Sequence, residues 1–119
     1  MPRILVVDDE PLIAMLLGDW LEELGCDMIG PAESVGTALD FTGSMTLDGA
    51  ILDVTLGHET SYPVAEALRE RAVPFAFATG HDGSDLDDRF KGAPLLPKPF
   101  DFAQVKAVVA ALLERRPGP

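Results

Sequence analysis

The chain has 119 residues, 47% of them apolar, and a formal net charge of −11. That length closes one core and not two, and the apolar fraction excludes a disordered chain. So acidic a surface repels phosphate backbones, which argues against direct nucleic-acid binding and favours cations or basic partner surfaces.

No apolar run approaches the roughly 20 residues that a membrane span needs. The opening Met1-Pro2-Arg3-Ile4-Leu5 is too short and too strand-like for a signal peptide, so a cytoplasmic protein is expected. The single cysteine, Cys26, excludes an internal disulfide and reads as a buried, reduced thiol near a helix end.

Arg3–Val7 is a short apolar, β-branched run and predicts a buried strand, which Asp8-Asp9-Glu10-Pro11 then breaks. Leu12, Ile13, Leu16, Leu17, Trp20, Leu21 and Leu24 recur at helical spacing as one apolar stripe. Pro11 suits the first turn of that helix and Gly25 its exit. Residues 27–31 predict a second strand. Residues 34–42 predict a weaker helix, with Val35, Ala38 and Leu39 inward and Gly43 as its stop.

Residues 49–53 predict a third strand, apolar until Asp53, followed by a polar loop with Gly57, His58 and Glu59. Pro63 opens a helix through Val64, Ala67 and Leu68. Residues 74–78 predict a fourth strand ending at Thr79-Gly80. The stretch 81–91 is rich in Gly and Asp and offers only Leu86 and Phe90 as an apolar pair, so any helix there is short and weakly anchored. Residues 94–96 form a brief fifth strand before Pro97-Lys98-Pro99. Asp101 caps a last helix, with Gln104 three residues on as in a capping box. Its stripe is Phe102, Val105, Val108, Val109, Leu112 and Leu113, and residues 115–119 end as a frayed tail.

Continuous apolar strands between amphipathic helices mean a parallel sheet covered on both faces. The expected product is an α/β, flavodoxin-like (βα)5 sandwich, doubly wound, with strand order 2-1-3-4-5. Right-handed crossovers put every strand C-terminus on one edge, where ligand chemistry sits. Strand one ends in Asp8-Asp9, strand three in Asp53, strand four in Thr79 and strand five in Lys98. Each has an ordinary explanation as turn or surface chemistry. Together they bring three carboxylates, a hydroxyl and an ammonium to one end of four neighbouring strands.

Three carboxylates at close range repel unless one is protonated or a cation holds them. With oxygen ligands and no Cys or His cluster, Mg2+ is the natural cation. A carboxylate such as Asp53 can attack phosphorus and form an acyl phosphate. Phosphoryl transfer then asks for positioning and charge neutralisation, which Mg2+, Lys98 and the Thr79 hydroxyl can supply. A P-loop and a Gly-x-Ser-x-Gly elbow are both absent, and the acidic turn after strand one would repel a dinucleotide phosphate. His58 and His81 are not spaced as a zinc pair and read as loop histidines.

Over essentially its whole length the sequence resembles a response-regulator receiver domain of two-component signalling. The carriers are Val6-Val7-Asp8-Asp9-Glu10, Ile51-Leu52-Asp53, Ala78-Thr79-Gly80 and Pro97-Lys98-Pro99-Phe100. The resemblance implies that Asp8, Asp9, Asp53 and the backbone carbonyl of Thr55 bind Mg2+. It implies that Asp53 accepts a phosphoryl group from a sensor histidine kinase, that Thr79 moves to bond it and that Lys98 pairs with it. A cis Lys98-Pro99 bond is also expected. Tyr62-Pro63-Val64-Ala65 and Pro74-Phe75-Ala76-Phe77-Ala78-Thr79-Gly80 further resemble the FATGUY subgroup of stand-alone receivers, found mainly in alphaproteobacteria beside kinases of the HWE or related class. His81 departs from the aromatic usual there, and Thr55-Leu56-Gly57-His58-Glu59 replaces the usual Met-Pro and Gly after the acceptor. The aromatic switch position, three residues before the lysine, is Leu95. Switching is therefore expected to use another element, the segment 80–91, with Thr55 and His81 flanking the phosphoryl group.

The leading expectation is a single receiver domain over 1–119 with no output domain, monomeric or weakly dimeric. It would switch a downstream protein or relay phosphate, catalysing only its own phosphorylation and slow dephosphorylation. The alternative is a phosphorylation-independent interaction module on the same fold, against which the complete acidic, Thr and Lys set argues. A third reading, a magnesium-dependent phosphatase, would want a second Asp at the position of Thr55.

Overall fold

The apolar run that opens the chain becomes β1 (Arg3–Val7), with Ile4 to Val7 wholly buried. In a computed structural model, which describes residues 1–80 and 86–116, it is the second strand of a five-stranded sheet. Along the chain follow α1 (Pro11–Glu23), β2 (Asp27–Ala32), α2 (Val35–Ser44), β3 (Gly49–Asp53), β4 (Thr55–Leu56), β5 (Glu59–Thr60) and α3 (Tyr62–Glu70). Then come β6 (Phe75–Thr79), a single 3-10 turn (Asp88–Phe90), β7 (Leu95–Pro97) and α4 (Phe102–Arg115). The sheet runs β2-β1-β3-β6-β7 with every neighbouring pair parallel. That is the order 2-1-3-4-5 expected of the five long strands.

Alternation along the strands divides the core between two faces. Leu5, Val7, Leu52, Phe75 and Phe77 face Ala38 of α2 and Val64, Ala65 and Leu68 of α3. Ile4, Val6, Ile51, Ala76 and Ala78 face Leu17 and Leu21 of α1 and Val105, Val109 and Leu112 of α4. The capping box forms: Asp101 Oδ1 accepts from the Gln104 amide, and Gln104 Oε1 accepts from the Asp101 amide, both at 2.8 Å. No helix among the described residues is long and apolar enough to cross a membrane.

Four expectations are corrected. The inward edge of α1 is Ala14, Leu17 and Leu21, while Leu12 is 74% and Met15 59% exposed and Leu16 also reaches the surface. Ile13, Trp20 and Leu24 of the stripe pack partly buried against the same core, while buried Ala14 takes the place expected of a larger residue. Helix α2 runs through Gly43 to Ser44, its last turn closed by the Met45 amide on the Phe41 carbonyl at 3.0 Å, while the Thr42 and Ser44 hydroxyls bond the carbonyls of Ala38 and Asp40 at 2.9 and 2.8 Å. Its inward face includes Thr42, and Leu39 turns outward. The polar loop after Asp53 is a small antiparallel hairpin, β4 with β5, turning at Gly57 with φ +60°. The Ser61 amide closes it onto the Val54 carbonyl at 2.9 Å.

The fourth correction concerns the segment after β6. Phe90 is fully buried and Leu86 nearly so. The Phe90 ring meets Tyr62 at 5.2 Å, Phe77 at 5.6 Å and Phe75 at 6.0 Å. Residues 86–90 are therefore firmly anchored, short though their helical turn is. Residues 81–85, His81 among them, lie outside the described residues.

Candidate functional site

The acidic edge begins where β1 leaves the core. Asp8 is 2% exposed, and its backbone amide still bonds the Ala32 carbonyl at 3.0 Å. Its Oδ1 accepts from the Glu10 amide at 2.9 Å, a side-chain turn that Asp forms readily two residues ahead. That turn delivers Glu10, the residue preceding α1, toward the same edge. Two strands across the sheet from β3, Lys98 follows β7, and its amide bonds the Thr79 carbonyl at 2.8 Å. The Lys98-Pro99 peptide is cis, as expected.

These supports converge on one ammonium. Lys98 Nζ lies 3.2 Å from Asp53 Oδ2, 3.3 Å from Asp8 Oδ2 and 3.4 Å from Glu10 Oε1. Asp8, Glu10 and Asp53 each offer a carboxylate oxygen, all within 4.8 Å of one another. Burial lifts the Asp53 carboxyl above its ordinary pKa; the Asp8 charge adds to this, while Lys98 and the Thr55 amide oppose it. Burial lifts Asp8 as well, against the pull of the Glu10 amide and Lys98. For Lys98, burial acts downward, but the Asp53 and Asp8 charges outweigh it and raise the ammonium above its ordinary value.

The other expected residues stand around this cluster. Thr79, the last residue of β6, is buried and pairs in register with Pro97 of β7. Thr55 opens the hairpin and is exposed. Asp9 is exposed and turned aside: its Oδ2 accepts from the Gly57 amide at 3.1 Å. His58 is exposed in the hairpin turn, and Cys26 is a buried free thiol whose pKa burial raises. Glu10 is the residue that sequence reasoning missed; its only signal was its place in the acidic run before Pro11.

The donor set fits a hard divalent cation: three carboxylates, no sulfur, no imidazole. Raised carboxyls favour the folded state below their ordinary pKa, and that contribution is lost as pH rises through the raised values. Burial thus disfavours the ionised form of both carboxyls. Mg2+ is expected to relieve this, adding about 2.7 kcal/mol to stability at 100 times its dissociation constant. The gain should shrink as acid protonates Asp8 and Asp53. Urea unfolding with and without Mg2+ at pH 7.5 and 5 measures both.

A model of the response regulator receiver domain matches residues 4–110. The chain belongs to the receiver family. The transcriptional activator protein IrlR of Burkholderia pseudomallei is 37% identical over 119 residues, covering 95% of this receiver but 51% of IrlR. The receiver thus spans about half the length of the curated relatives it matches. Among solved structures, SdrG from Sphingomonas melonis Fr1 superposes with a TM-score of 0.84 at 48% identity, covering 95% of this chain and 97% of that one. TrrA from Thermotoga maritima, in complex with Mg(2+)-BeF, gives a TM-score of 0.83 at 33% identity over 95% of this chain and 100% of its own.

Proposed function

We propose that this receiver is a phosphoacceptor signalling module in which Asp53 takes a phosphoryl group from a sensor histidine kinase of the HWE or related class. The observation that carries the reading is the Lys98 ammonium held between Asp53 and Asp8, at 3.2 and 3.3 Å. An Asp53 oxygen attacks phosphorus as the bond to the donor histidine nitrogen breaks, so the group passes from N–P to O–P linkage. Lys98 is already bonded to the attacking carboxylate and neutralises charge that arrives with the phosphoryl group. The Thr79 hydroxyl, one strand over, hydrogen-bonds a phosphoryl oxygen. Asp8, Asp9, Asp53 and the Thr55 carbonyl would hold Mg2+, with Glu10 at the same turn; the ion, when bound, would supply the remaining positive charge. Support for the ion comes from the oxygen-only donor set and from the relative TrrA in complex with Mg(2+)-BeF.

The module acts in the cytoplasm as a monomer or weak dimer, through a downstream protein. It is a regulator and not a metabolic enzyme. Incubation with acetyl phosphate and Mg2+ tests this by intact-mass measurement. One labile phosphoryl group per chain is expected. No modification would favour the phosphorylation-independent interaction module, and turnover of free phosphoesters would favour a phosphatase.

A further inference from the structure

We propose that Tyr62 transmits occupancy of Asp53 to the surface, in place of the strand-end aromatic that Leu95 replaces; the proposal rests on reading Asp53 as the phosphoacceptor. Tyr62 is the first residue of α3, half-buried, with its ring wedged between two elements. It meets Phe77 of β6 edge-on at 6.0 Å and 83°, and stacks on Phe90 at 5.2 Å and 22°. Its hydroxyl accepts a hydrogen bond from the Asp87 backbone amide at 3.0 Å.

Both ends of this contact matter. Phe77 lies two residues before Thr79, so the two side chains share one face of β6. Phe77 also pairs in register with Leu95. Tyr62 therefore reaches from the helix the strand position that an aromatic at 95 would flank from β7. At the far end, Asp87 bonds the Arg89 amide and Nε, both at 3.0 Å. Arg89 pairs with Glu66 of α3 at 2.7 Å, and its carbonyl accepts from Arg69 at 3.0 Å.

A phenylalanine would fill the same space, so packing alone does not call for the hydroxyl. What the hydroxyl adds is one exchangeable bond between α3 and the start of an ion-paired surface turn. When Thr79 is drawn to the phosphoryl group, Phe77 repacks beside it and the Tyr62–Asp87 bond is exchanged. The surface carrying Asp87, Arg89 and Glu66 then presents a different charge pattern to a partner. Tyr62 is a positioning residue; it touches neither the phosphoryl group nor the carboxylates.

The test uses the full chain with beryllofluoride and Mg2+. Fluorine NMR of the bound beryllofluoride reports occupancy, and amide NMR of Asp87, Arg89 and Phe90 reports the turn. In the wild type, the Asp87 amide is expected to shift with occupancy and exchange faster with solvent. In Tyr62→Phe, beryllofluoride should bind as before, while the Asp87 amide starts displaced and no longer responds. A Leu95→Ala variant should respond as the wild type does. An unmoved Asp87 amide in the occupied wild type would overturn the proposal, and so would a wild-type response in Tyr62→Phe. Failure of beryllofluoride to bind at all would instead strike the phosphoacceptor reading, which separates the two.

Discussion

Asp53→Asn is expected to abolish phosphoryl transfer while making the protein more stable in the absence of Mg2+. The first effect is chemical: an amide oxygen is a poor nucleophile, and the acyl phosphate cannot form. The second follows from the electrostatics of the site. Burial and the Asp8 charge outweigh Lys98 and hold the Asp53 carboxyl above its ordinary pKa, so the fold prefers the neutral form. A neutral amide of the same shape removes that penalty, and it leaves Lys98 paired with Asp8 and Glu10. Thermal unfolding should therefore give a higher midpoint for Asp53→Asn than for the wild type near neutral pH. The gap should close as pH falls, since acid neutralises the wild-type carboxyl as well. A mutant that still gains a phosphoryl group would remove Asp53 from the centre of the mechanism. A lower midpoint would mean that the Lys98 pair outweighs burial.

Phe90→Ala carries the largest expected cost to stability, about 3–5 kcal/mol. Its ring is fully buried and contacts the aromatic side chains of Tyr62, Phe75 and Phe77. The Arg69 and Arg89 guanidinium groups lie over it at 4.9 and 5.0 Å, closing it from solvent. Removing the ring leaves a cavity between α3 and β6 and frees the turn that Asp87 begins. Urea unfolding should show the loss in the midpoint. Amide exchange should show it concentrated in residues 86–93 at low denaturant, because this turn has no sheet pairing of its own to hold it.

Local patterns made some of the architecture legible, and long-range contacts hid the rest. The strands and the four α-helices were legible from local signals: short apolar runs, a capping box at Asp101 and Gln104, and turn residues between them. The meeting of Asp8, Asp53 and Lys98 was legible because parallel strands bring their C-termini to one edge. Phe90 was misjudged because its aromatic partners come from 13 to 28 positions away in the chain. Glu10 was missed for a different reason. An acidic triple in a turn does not say which member faces inward. The Asp8 carboxylate decides it by accepting the Glu10 amide, while Asp9 finds the Gly57 amide of the hairpin. The exposed edge of α1 is the same kind of choice: periodicity gives a stripe, and only the sheet beneath selects which side of it is covered.

Trp20 is the single tryptophan of the chain, and its indole packs edge-on against Phe100 at 6.2 Å and Phe102 at 6.0 Å. Phe100 stands two residues beyond Lys98, across the cis peptide bond. The molecule thus has a built-in optical gauge on the arm that bears its central cation. No label is needed, and no second indole blurs the signal. A ligand that draws the ammonium away from its three carboxylates is expected to shift the backbone that seats Phe100, and with it the emission of Trp20. The aromatic corner under α1 makes events at the acidic edge visible from the opposite side of the sheet to Tyr62.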